Sequence, residues 1–320
     1  MSGFLRVAGL CLLCLAPCCA CAQIYPSRPV RLIIDFPAGG PSDSLARVVG
    51  QKLTESLGQA IVYDNRPGAN GVIAYGLAAH APADGYTLVV LSTPFPLNGA
   101  LRRKLNYDTV KDFAPISLVA NYSNLLVVHP SVPARTVQEF IAYAKARAGA
   151  LTYASSGTGS VQHLAMEMLR RSAGFDAVHV PYGGSAPAVV DLLGGHVQAS
   201  ITTLPAALPH VRSARLRALA VLSAARSIHV PETPTLVESG IAVIASGWGG
   251  IGAPAGAPVA VVRRLNAEIV RIVNLPDVKE SILAVGGEPR SSTPAEFQEF
   301  IAGEMKRWGP VIVQSGATQE

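Results

Sequence analysis

Cysteine is absent from the sequence after position 21, and this absence limits the chemistry of the chain. All five cysteines lie near the amino end: Cys11, Cys14, Cys18, Cys19 and Cys21. A chain processed beyond them has no disulfide to stabilise it and no thiolate for a metal or a substrate. We therefore expect a fold held by its own apolar core, without thiol catalysis or a cysteine metal site.

Apolar runs long enough to span a membrane are also missing near the amino end. The run at 7–15 is shorter than the ~20 residues that a spanning helix needs. It follows Arg6 and precedes small residues that end at Ala22, which is the arrangement of a secretory signal peptide. We predict a signal peptide over residues 1–22, cleaved near Ala22, and an exported mature chain. A lipid anchor at Cys21 is the alternative.

Charged residues are scarce as well. They make up 15% of the chain against 49% hydrophobic residues, which is typical of a globular protein rather than a disordered one. The net charge is +5 and the longest basic run is Arg102, Arg103 and Lys104, so we expect no nucleic-acid partner. Removing 22 residues from 320 leaves 298, a length more typical of two domains than of one.

Nucleotide and metal motifs are missing too. No glycine loop ends in the Lys-Ser/Thr pair of a P-loop, and Gln162 stands where the loop at 157–159 would need the third glycine of a dinucleotide site. The histidines are scattered without a close ligand pair: His80, His129, His163, His179, His196, His210 and His229. We therefore expect no cofactor and no metal site.

Serine-hydrolase chemistry has weak support in the sequence. Ser156, His163 and Asp191 could be combined into a catalytic triad, but no serine lies in the G-x-S-x-G turn that exposes such a nucleophile. We therefore expect no catalytic residues, and an exported hydrolase of small esters is the alternative function.

What the chain does carry is a strand, a glycine loop and a helix at 30–57. Such a loop offers free backbone N–H groups and the positive end of a helix dipole, which suit an anion. Its ligand-binding candidates are Phe36, Ala38, Gly39, Gly40, Ser42 and Asp43. A carboxylate at Asp43 would repel an anion unless it bonds water or a proton-bearing group. The alternative is a plain turn with Ser42 as helix cap.

Similar polar loops follow later predicted strands. They supply the remaining ligand-binding candidates, which are Ser92, Thr93, Ser155, Ser156, Gly157, Thr158, His163, Tyr182, Gly184, Ser185, Ala186 and Thr203. Open α/β sheets bind ligands at the carboxyl ends of their strands. Because successive backbone N–H groups form a nest for anions, we expect these loops to bind a carboxylate in one cleft.

The alternation of strands and helices predicts an α/β fold with two lobes, each a mainly parallel sheet flanked by helices. The chain is expected to cross between the lobes near 121–124 and to return near 246–250. We therefore predict lobe 1 over 23–122 and 246–320, and lobe 2 over 123–245. Ligand would lie between lobes that close on a hinge.

Several short segments together resemble a known family. They include Tyr25-Pro26-Ser27-Arg28-Pro29-Val30, Phe36-Pro37-Ala38-Gly39-Gly40, Asn65-Arg66-Pro67-Gly68-Ala69, Asp84-Gly85-Tyr86-Thr87-Leu88, Val178-His179-Val180-Pro181-Tyr182 and Asp191-Leu192-Leu193-Gly194-Gly195. Over essentially all of its mature length, the chain resembles the Bug-type receptors, the solute-binding proteins of tripartite tricarboxylate transporters.

This resemblance implies a periplasmic, type II-like binding protein that presents a small organic acid to the membrane components of such a transporter, and we expect a monomer. It also implies that the loop at 36–43 holds a ligand carboxylate, partly through ordered water. The loops at 155–160 and 182–187 would bind the same ligand from the other lobe.

Two positions depart from the family pattern. Gly183 stands where the family often has lysine, and Thr202 and Thr203 stand where it often has Asp and Asn. The loss of a cation and an acid favours a monocarboxylate, aromatic or hydroxylated, over citrate-like polyanions and amino acids. A sensory receptor for a membrane sensor protein is a further alternative, because it would need the same cleft.

Overall fold

The computed structural model describes residues 25–101, 104–147 and 149–315. The predicted signal peptide, its cleavage site at Ala22 and the alternative lipid anchor at Cys21 lie outside these residues. Within the described ranges, no helix is both long enough and apolar enough to cross a membrane.

The strands form two separate sheets. They are β1 (Val30–Ile34), β2 (Ile61–Asn65), β3 (Thr87–Ser92), β4 (Phe113–Tyr122), β5 (Asn124–Val128), β6 (Thr152–Ser155), β7 (Val178–Pro181), β8 (Ala199–Thr203), β9 (Arg217–Val221), β10 (Gly247–Pro254) and β11 (Gly287–Pro289). The first sheet has the order β11-β4-β10-β3-β1-β2, and the second has the order β7-β6-β8-β5-β9.

Helices cover both faces of each sheet. They are α1 (Pro41–Leu57), α2 (Val72–Ala79), α3 (Pro94–Leu101), α4 (Val137–Ala146), α5 (Val161–Ala173), α6 (Ser185–Leu193), α7 (Leu204–Arg212), α8 (Val259–Val273), α9 (Pro276–Ala284) and α10 (Pro294–Ser315). A short 3-10 turn at Ala69–Gly71 precedes α2. The predicted α/β class, with helices flanking two sheets, is confirmed.

Each sheet buries side chains on both faces, because successive residues of a strand point in opposite directions. In β1, Leu32 packs into a core with α1, α8 and α9, whereas Ile33 packs into a core with α2 and α10. In β5, Leu126 faces α4 and α5, whereas Leu125 faces α6 and α7. This double burial explains why these strands read as nearly continuous apolar runs.

Strand pairing is mixed rather than mainly parallel, which corrects the prediction from sequence. β1 pairs parallel with β2 and β3, and β6 pairs parallel with β7 and β8. All pairings of β4, β5 and β10 are antiparallel. β4 and β5 carry the chain from the first sheet into the second, and β10 carries it back. These strands run antiparallel to their neighbours. The strands that end in the predicted binding loops are the parallel ones, and their loops share one edge.

The two sheets are linked by more than the strand crossings. The chain passes from β4 to β5 through Ser123 alone. The core of the second sheet also receives side chains from helices that pack on the first sheet. These are Leu97 and Leu101 from α3, and Trp308 and Ile312 from the last turns of α10. The final helix therefore contacts both halves of the molecule.

Glycine in β10 permits close packing between the first sheet and its helices. A Cβ on Gly250 would lie 2.6 Å from the backbone oxygen of Ser117 and 2.5 Å from the ring of Phe297. A Cβ on Gly249 would lie 2.7 Å from Leu45. Real Cβ atoms do not approach this closely, so the packing here requires residues without a side chain.

Candidate functional site

A cleft of about 600 Å³ opens where both sheets present the ends of their parallel strands. Most predicted site residues line it. They are Phe36, Ala38, Gly39, Gly40, Ser42, Ser92, Thr93, Ser156, Gly184, Ser185, Ala186 and Thr203. The others, which are Asp43, Ser155, Gly157, Thr158, His163 and Tyr182, are not part of the lining. Their polar groups bond to the loops and to neighbouring residues.

The loop after β1 turns at glycine and leads directly into α1. Gly39 has a φ of 83°, in the left-handed region that favours glycine. Gly40 is the N-cap of α1, and Pro41 takes the first helical position. Ser42 therefore lies inside the helix, and its assignment as helix cap is wrong. Pro41 has no N–H and no side chain caps α1, so the backbone N–H groups of Ser42 and Asp43 remain available at the cleft.

Asp43 stabilises this loop from outside the cleft lining. Its carboxylate accepts hydrogen bonds from the backbone N–H of Gly39 at 3.0 Å, from Arg47 at 2.9 Å and from Asn65 at 3.1 Å. Burial alone would raise the pKa of Asp43, but the hydrogen bonds from Arg47, Gly39 and Asn65 outweigh it and lower the pKa. Arg47 compensates the charge, which removes the repulsion expected from the sequence.

A second acid, Asp35, lies beneath the cleft and was missed by the sequence analysis. It is completely buried, and its Oδ2 accepts hydrogen bonds from the hydroxyl groups of Tyr75, at 2.6 Å, and Ser92. Burial raises the pKa of Asp35, and the hydrogen bonds offset this only in part. The sequence signal was an acid directly after the apolar Ile33 and Ile34. Ser92 lines the cleft, so Asp35 positions one of the hydroxyl groups of the cleft.

In the second sheet, the loop after β6 rests on a pair of stacked histidines. Ser160 caps α5 by accepting from the backbone N–H of His163 at 3.2 Å. The Nδ1 atom of His163 accepts from the N–H of Gly159 at 3.0 Å, and the Nε2 atom of His179 lies 2.7 Å from the hydroxyl oxygen of Ser155. The two imidazole rings are parallel, with centroids 3.9 Å apart.

Both histidines of this pair are held neutral. Burial lowers the pKa of His163, and burial together with the neighbouring His163 lowers the pKa of His179 to about 4. A neutral ring is also what the Gly159 contact requires, because only an unprotonated nitrogen can accept a hydrogen bond. The pair therefore supports the loop without adding charge to it.

The residues of the hypothetical triad have separate partners. The Ser156 hydroxyl donates to Gln162 at 2.7 Å. His163 contacts Gly159 and stacks on His179, while Asp191 accepts from the hydroxyl of Tyr182 at 2.6 Å. No serine–histidine–aspartate relay is assembled from these side chains.

The third loop and the end of β8 complete the polar side of the cleft. Gly184, with a φ of 142°, is the N-cap of α6, and Thr203 is the N-cap of α7. Neither helix has a side-chain cap. The Thr203 hydroxyl oxygen is buried and has no partner among the described residues. Tyr182 directs its hydroxyl to Asp191 instead of the cleft.

A further part of the cleft lining was not anticipated from the sequence. It is formed by residues of α6, α7 and the end of α9, namely Val189, Val190, Pro205, Ala206, Leu208, Pro209, His210, Arg212, Ala284 and Val285. Gln162 and Gly183 also line the cleft. A short helix with two prolines gives little periodic signal, so α7 could not be recognised as a wall of the site.

One hydrogen bond joins the two halves beside the cleft. The Asn70 side chain, from the turn before α2, donates to the backbone oxygen of Thr158 at 3.2 Å. Asn70 has a φ of 59°, a conformation that asparagine tolerates better than most residues. Thr158 therefore contributes to contact between the halves rather than to the cleft lining.

The cleft is free of negative charge at its surface. Among the described residues, no Asp or Glu side chain lines it, and Arg212 is the one Arg or Lys that does. The described ranges also contain no cluster of three or more His, Asp or Glu residues that could hold a metal ion. Free N–H groups, hydroxyls and one cation suit an acidic organic ligand.

Comparison with known proteins shows which family the chain belongs to. Residues 45–317 match the profile of the tripartite tricarboxylate transporter family receptor. The protein BugT of Bordetella pertussis is 40% identical over 299 residues, covering 92% of each chain.

Solved structures agree with this match. The Rpa4515 protein of R. palustris, with adipate, has a TM-score of 0.88 at 35% identity, over 92% of this chain and 99% of its own. The MatC protein of Rhodopseudomonas palustris, with bound malate, has a TM-score of 0.84 at 31% identity, over 90% and 100%. The periplasmic binding protein BugD has a TM-score of 0.87 at 29% identity, over 92% and 100%.

These matches extend over nearly the whole described chain, and they include both sheets and the cleft between them. The resemblance to the Bug-type receptors is thus confirmed. The chain belongs to the tripartite tricarboxylate transporter receptor family of solute-binding proteins.

Proposed function

We propose that this protein captures a small organic carboxylate in the cleft and presents it to the membrane components of a tripartite tricarboxylate transporter. One observation carries the proposal. Three helices begin at the cleft without a side-chain cap, and their N-caps Gly40, Gly184 and Thr203 all line it. By contrast, α5 is capped by Ser160.

The physical reason is the electrostatics of helix ends. The first N–H groups of a helix lack partners within it, and the helix dipole places partial positive charge there. Pro41 and Pro205 have no N–H, and the N–H of Leu204 donates to the backbone oxygen of Ser123 at 2.8 Å. The other first-turn N–H groups of the three ends are the donors offered to one anion. A carboxylate would accept their hydrogen bonds, and charge-assisted hydrogen bonds are roughly twice as strong as neutral ones. The adipate and malate complexes of the two related proteins support this ligand class.

We infer that binding closes the two lobes, residues 23–122 with 246–320 and residues 123–245, on the strand crossings between them. Residues from both sheets line the cleft, so a ligand that contacts both would stabilise the closed form. We further propose that the mature protein is periplasmic, acts as a monomer and has no catalytic activity. The engagement of the Ser156 hydroxyl by Gln162 supports the last point.

Thermal-shift measurements test the ligand class directly. An acid that binds only the folded protein should stabilise it by about 2.7 kcal/mol at ~100 times its Kd. The corresponding amides should stabilise the protein far less, since they cannot form charge-assisted hydrogen bonds. Equal stabilisation by acids and amides would contradict the proposal.

The Ser185→Ala substitution tests the site itself. No hydrogen bond of the Ser185 hydroxyl to a described side chain or backbone group is present, although the residue lines the cleft. We expect weaker acid binding and an unchanged melting temperature without ligand. Ser172→Ala on α5 is the matched control, because Ser172 is exposed and lies outside the cleft. A loss of ligand-free stability at Ser185 would instead mean that its hydroxyl serves the fold.

A further inference from the structure

Asp35 is a buried acid without a compensating cation. It directly follows the last residue of β1 and is completely buried. Its Oδ2 atom accepts hydrogen bonds from the hydroxyl groups of Tyr75 and Ser92. Its Oδ1 atom has no hydrogen-bond partner among the described residues. Because an unpaired charge is costly to bury, this carboxyl group is poorly suited to remain ionised.

Among the described residues, the elements packed around Asp35 bring no cation to it. The strands β3 and β10 and the helices α2 and α3 contain no charged residue. Nearby charged groups on other elements pair among themselves, and they are Asp43 with Arg47, Asp64 with Arg31 and Arg66, and Glu304 with Arg307. Tyr75 is the titratable group in contact with Asp35. Burial and the neighbouring Asp35 raise the pKa of Tyr75, so its hydroxyl remains a donor.

Asp35 is joined to the cleft by hydroxyl groups. Ser42 and Ser92 both line the cleft, and Ser42 lies in the uncapped first turn of α1. Burial raises the pKa of Asp35, and the hydroxyl groups of Ser92, Tyr75 and Ser42 offset this only in part. Two hydrogen bonds of ~2.8 Å through Ser92 would place a ligand carboxylate within ~6 Å of Asp35. Two carboxylates at this separation disfavour each other's ionised form, and a proton on one of them removes the repulsion.

The hydroxyl group of Ser92 transmits the protonation state of Asp35 to the cleft. A serine hydroxyl carries a single proton, and Ser92 donates it to Oδ2 of Asp35. While Asp35 is ionised, the Ser92 oxygen therefore offers only lone pairs to the cleft. Once Oδ2 carries a proton, it can donate to the Ser92 oxygen, and the Ser92 proton is free to turn towards a ligand. Protonation thus removes a negative charge and adds a donor, and both changes favour a bound anion.

We propose that the cleft binds its carboxylate together with one proton, which is taken up by Asp35 beneath the Ser92 hydroxyl. This inference rests on the proposed function and adds a second bound species to it. One O–H bond forms at Oδ2 of Asp35, the proton comes from the solvent, and no other covalent bond changes. Since the complex carries more protons than the free protein, the acid is bound most tightly at low pH and is released as the pH rises.

Isothermal titration in paired buffers with different ionisation enthalpies counts the protons taken up on binding. The probes are acetate, benzoate, malate and adipate at pH ~5.5, ~7 and ~8.5, above the pKa of ordinary carboxylic acids. We expect the wild-type protein to take up as much as one proton per bound acid. Its dissociation constant should rise about 10- to 100-fold from the lowest to the highest pH.

The Asp35→Asn substitution removes the proton acceptor and keeps a similar shape. Its amide oxygen can accept from Tyr75 and Ser92 as Oδ2 does. We expect this variant to bind the acids with a dissociation constant that changes less than about threefold over the same pH range, and to take up only the small fraction of a proton that the probe itself binds. Glu232→Gln, which removes an exposed acid outside the cleft, is the control and should titrate as the wild type does.

A second measurement needs no variant. Infrared difference spectra of wild-type protein, labelled with heavy carbon at the aspartate carboxyl groups, distinguish protonated from ionised aspartate. Addition of the acid at the pH of greatest proton uptake should produce the isotope-shifted C=O band of one protonated carboxyl group. A spectrum without this band would overturn the assignment of the proton to an aspartate.

The remaining results separate this inference from the proposed function. Acid binding without proton uptake at every pH, or equal uptake by wild type and Asp35→Asn, would overturn the inference and leave the proposed function intact. Uptake that persists in Asp35→Asn but disappears in His210→Gln would also overturn it, because His210 is another titratable residue of the lining. If none of the four acids bound at any pH, the proposed function would fail together with this inference.

Discussion

The stacked histidines beneath the loop after β6 predict that acid destabilises this half of the protein. His179 lies between the rings of Tyr153 and His163, and its Nε2 atom contacts Ser155. Protonation of either ring would place a charge in a partly buried stack, and protonation of both would place two like charges 3.9 Å apart. The nearby carboxylate of Glu167 favours the charged rings and limits the effect.

The size of the effect follows from the pKa of His179. Its folded value is about 4, whereas an unfolded histidine titrates near ~6.5, and each pKa unit corresponds to ~1.4 kcal/mol. The full difference would correspond to ~3.4 kcal/mol, but the ring is only partly buried. Because solvent screens such a group, we expect about 1–2 kcal/mol.

The sign is set by which state binds more protons. A folded-state pKa below the unfolded value means that the unfolded chain binds more protons at intermediate pH. The contribution to stability is therefore complete above pH ~6.5 and is lost as the pH falls towards the folded value of about 4. The two rings titrate as a coupled pair, so the loss belongs to the pair.

Urea unfolding of the His179→Gln variant at a series of pH values measures this contribution. Glutamine can retain a contact with Ser155 but does not titrate. We expect the variant to be less stable than the wild type at neutral pH and the difference to shrink by about 1–2 kcal/mol towards pH ~4. His196→Gln, which replaces an exposed histidine, should leave the pH profile unchanged. Parallel profiles for wild type and His179→Gln would refute the reasoning.

Three further substitutions test features beneath the cleft, in the core and on α10. Because burial raises the pKa of Asp35, its contribution to stability is greatest below an unfolded pKa of ~3.9 and is lost as pH rises through the folded value. The stability of Asp35→Asn relative to wild type should therefore increase as the pH rises from acidic to neutral, as measured by urea titrations. A stability difference that does not change with pH would contradict this. Gly250→Ala should cost about 1–3 kcal/mol through overpacking, whereas Gly303→Ala, which is unobstructed, should stabilise α10.

Much of the polar side of the cleft could be predicted from short stretches of sequence. Gly39, Gly40 and Gly184 were recognised because glycine after an apolar run marks a strand-to-helix turn, and all three line the cleft. Other candidates have side chains with competing partners. His163 and Tyr182 lie in the expected loops, yet their polar atoms bond to Gly159 and Asp191, which no local pattern reveals.

The sequence by itself determined that the chain has an export signal pattern, no cysteine after position 21, alternating strands and helices, and glycine loops suited to anions. These properties are local, since apolar periodicity and backbone freedom depend on neighbouring residues. Tertiary structure decided the antiparallel strands, the packing of Trp308 on the second core and the placement of Asp35 beside Tyr75. It also brought Arg212 into the cleft wall. Such contacts join distant parts of the chain, and packing and long-range strand pairing select them rather than any local pattern.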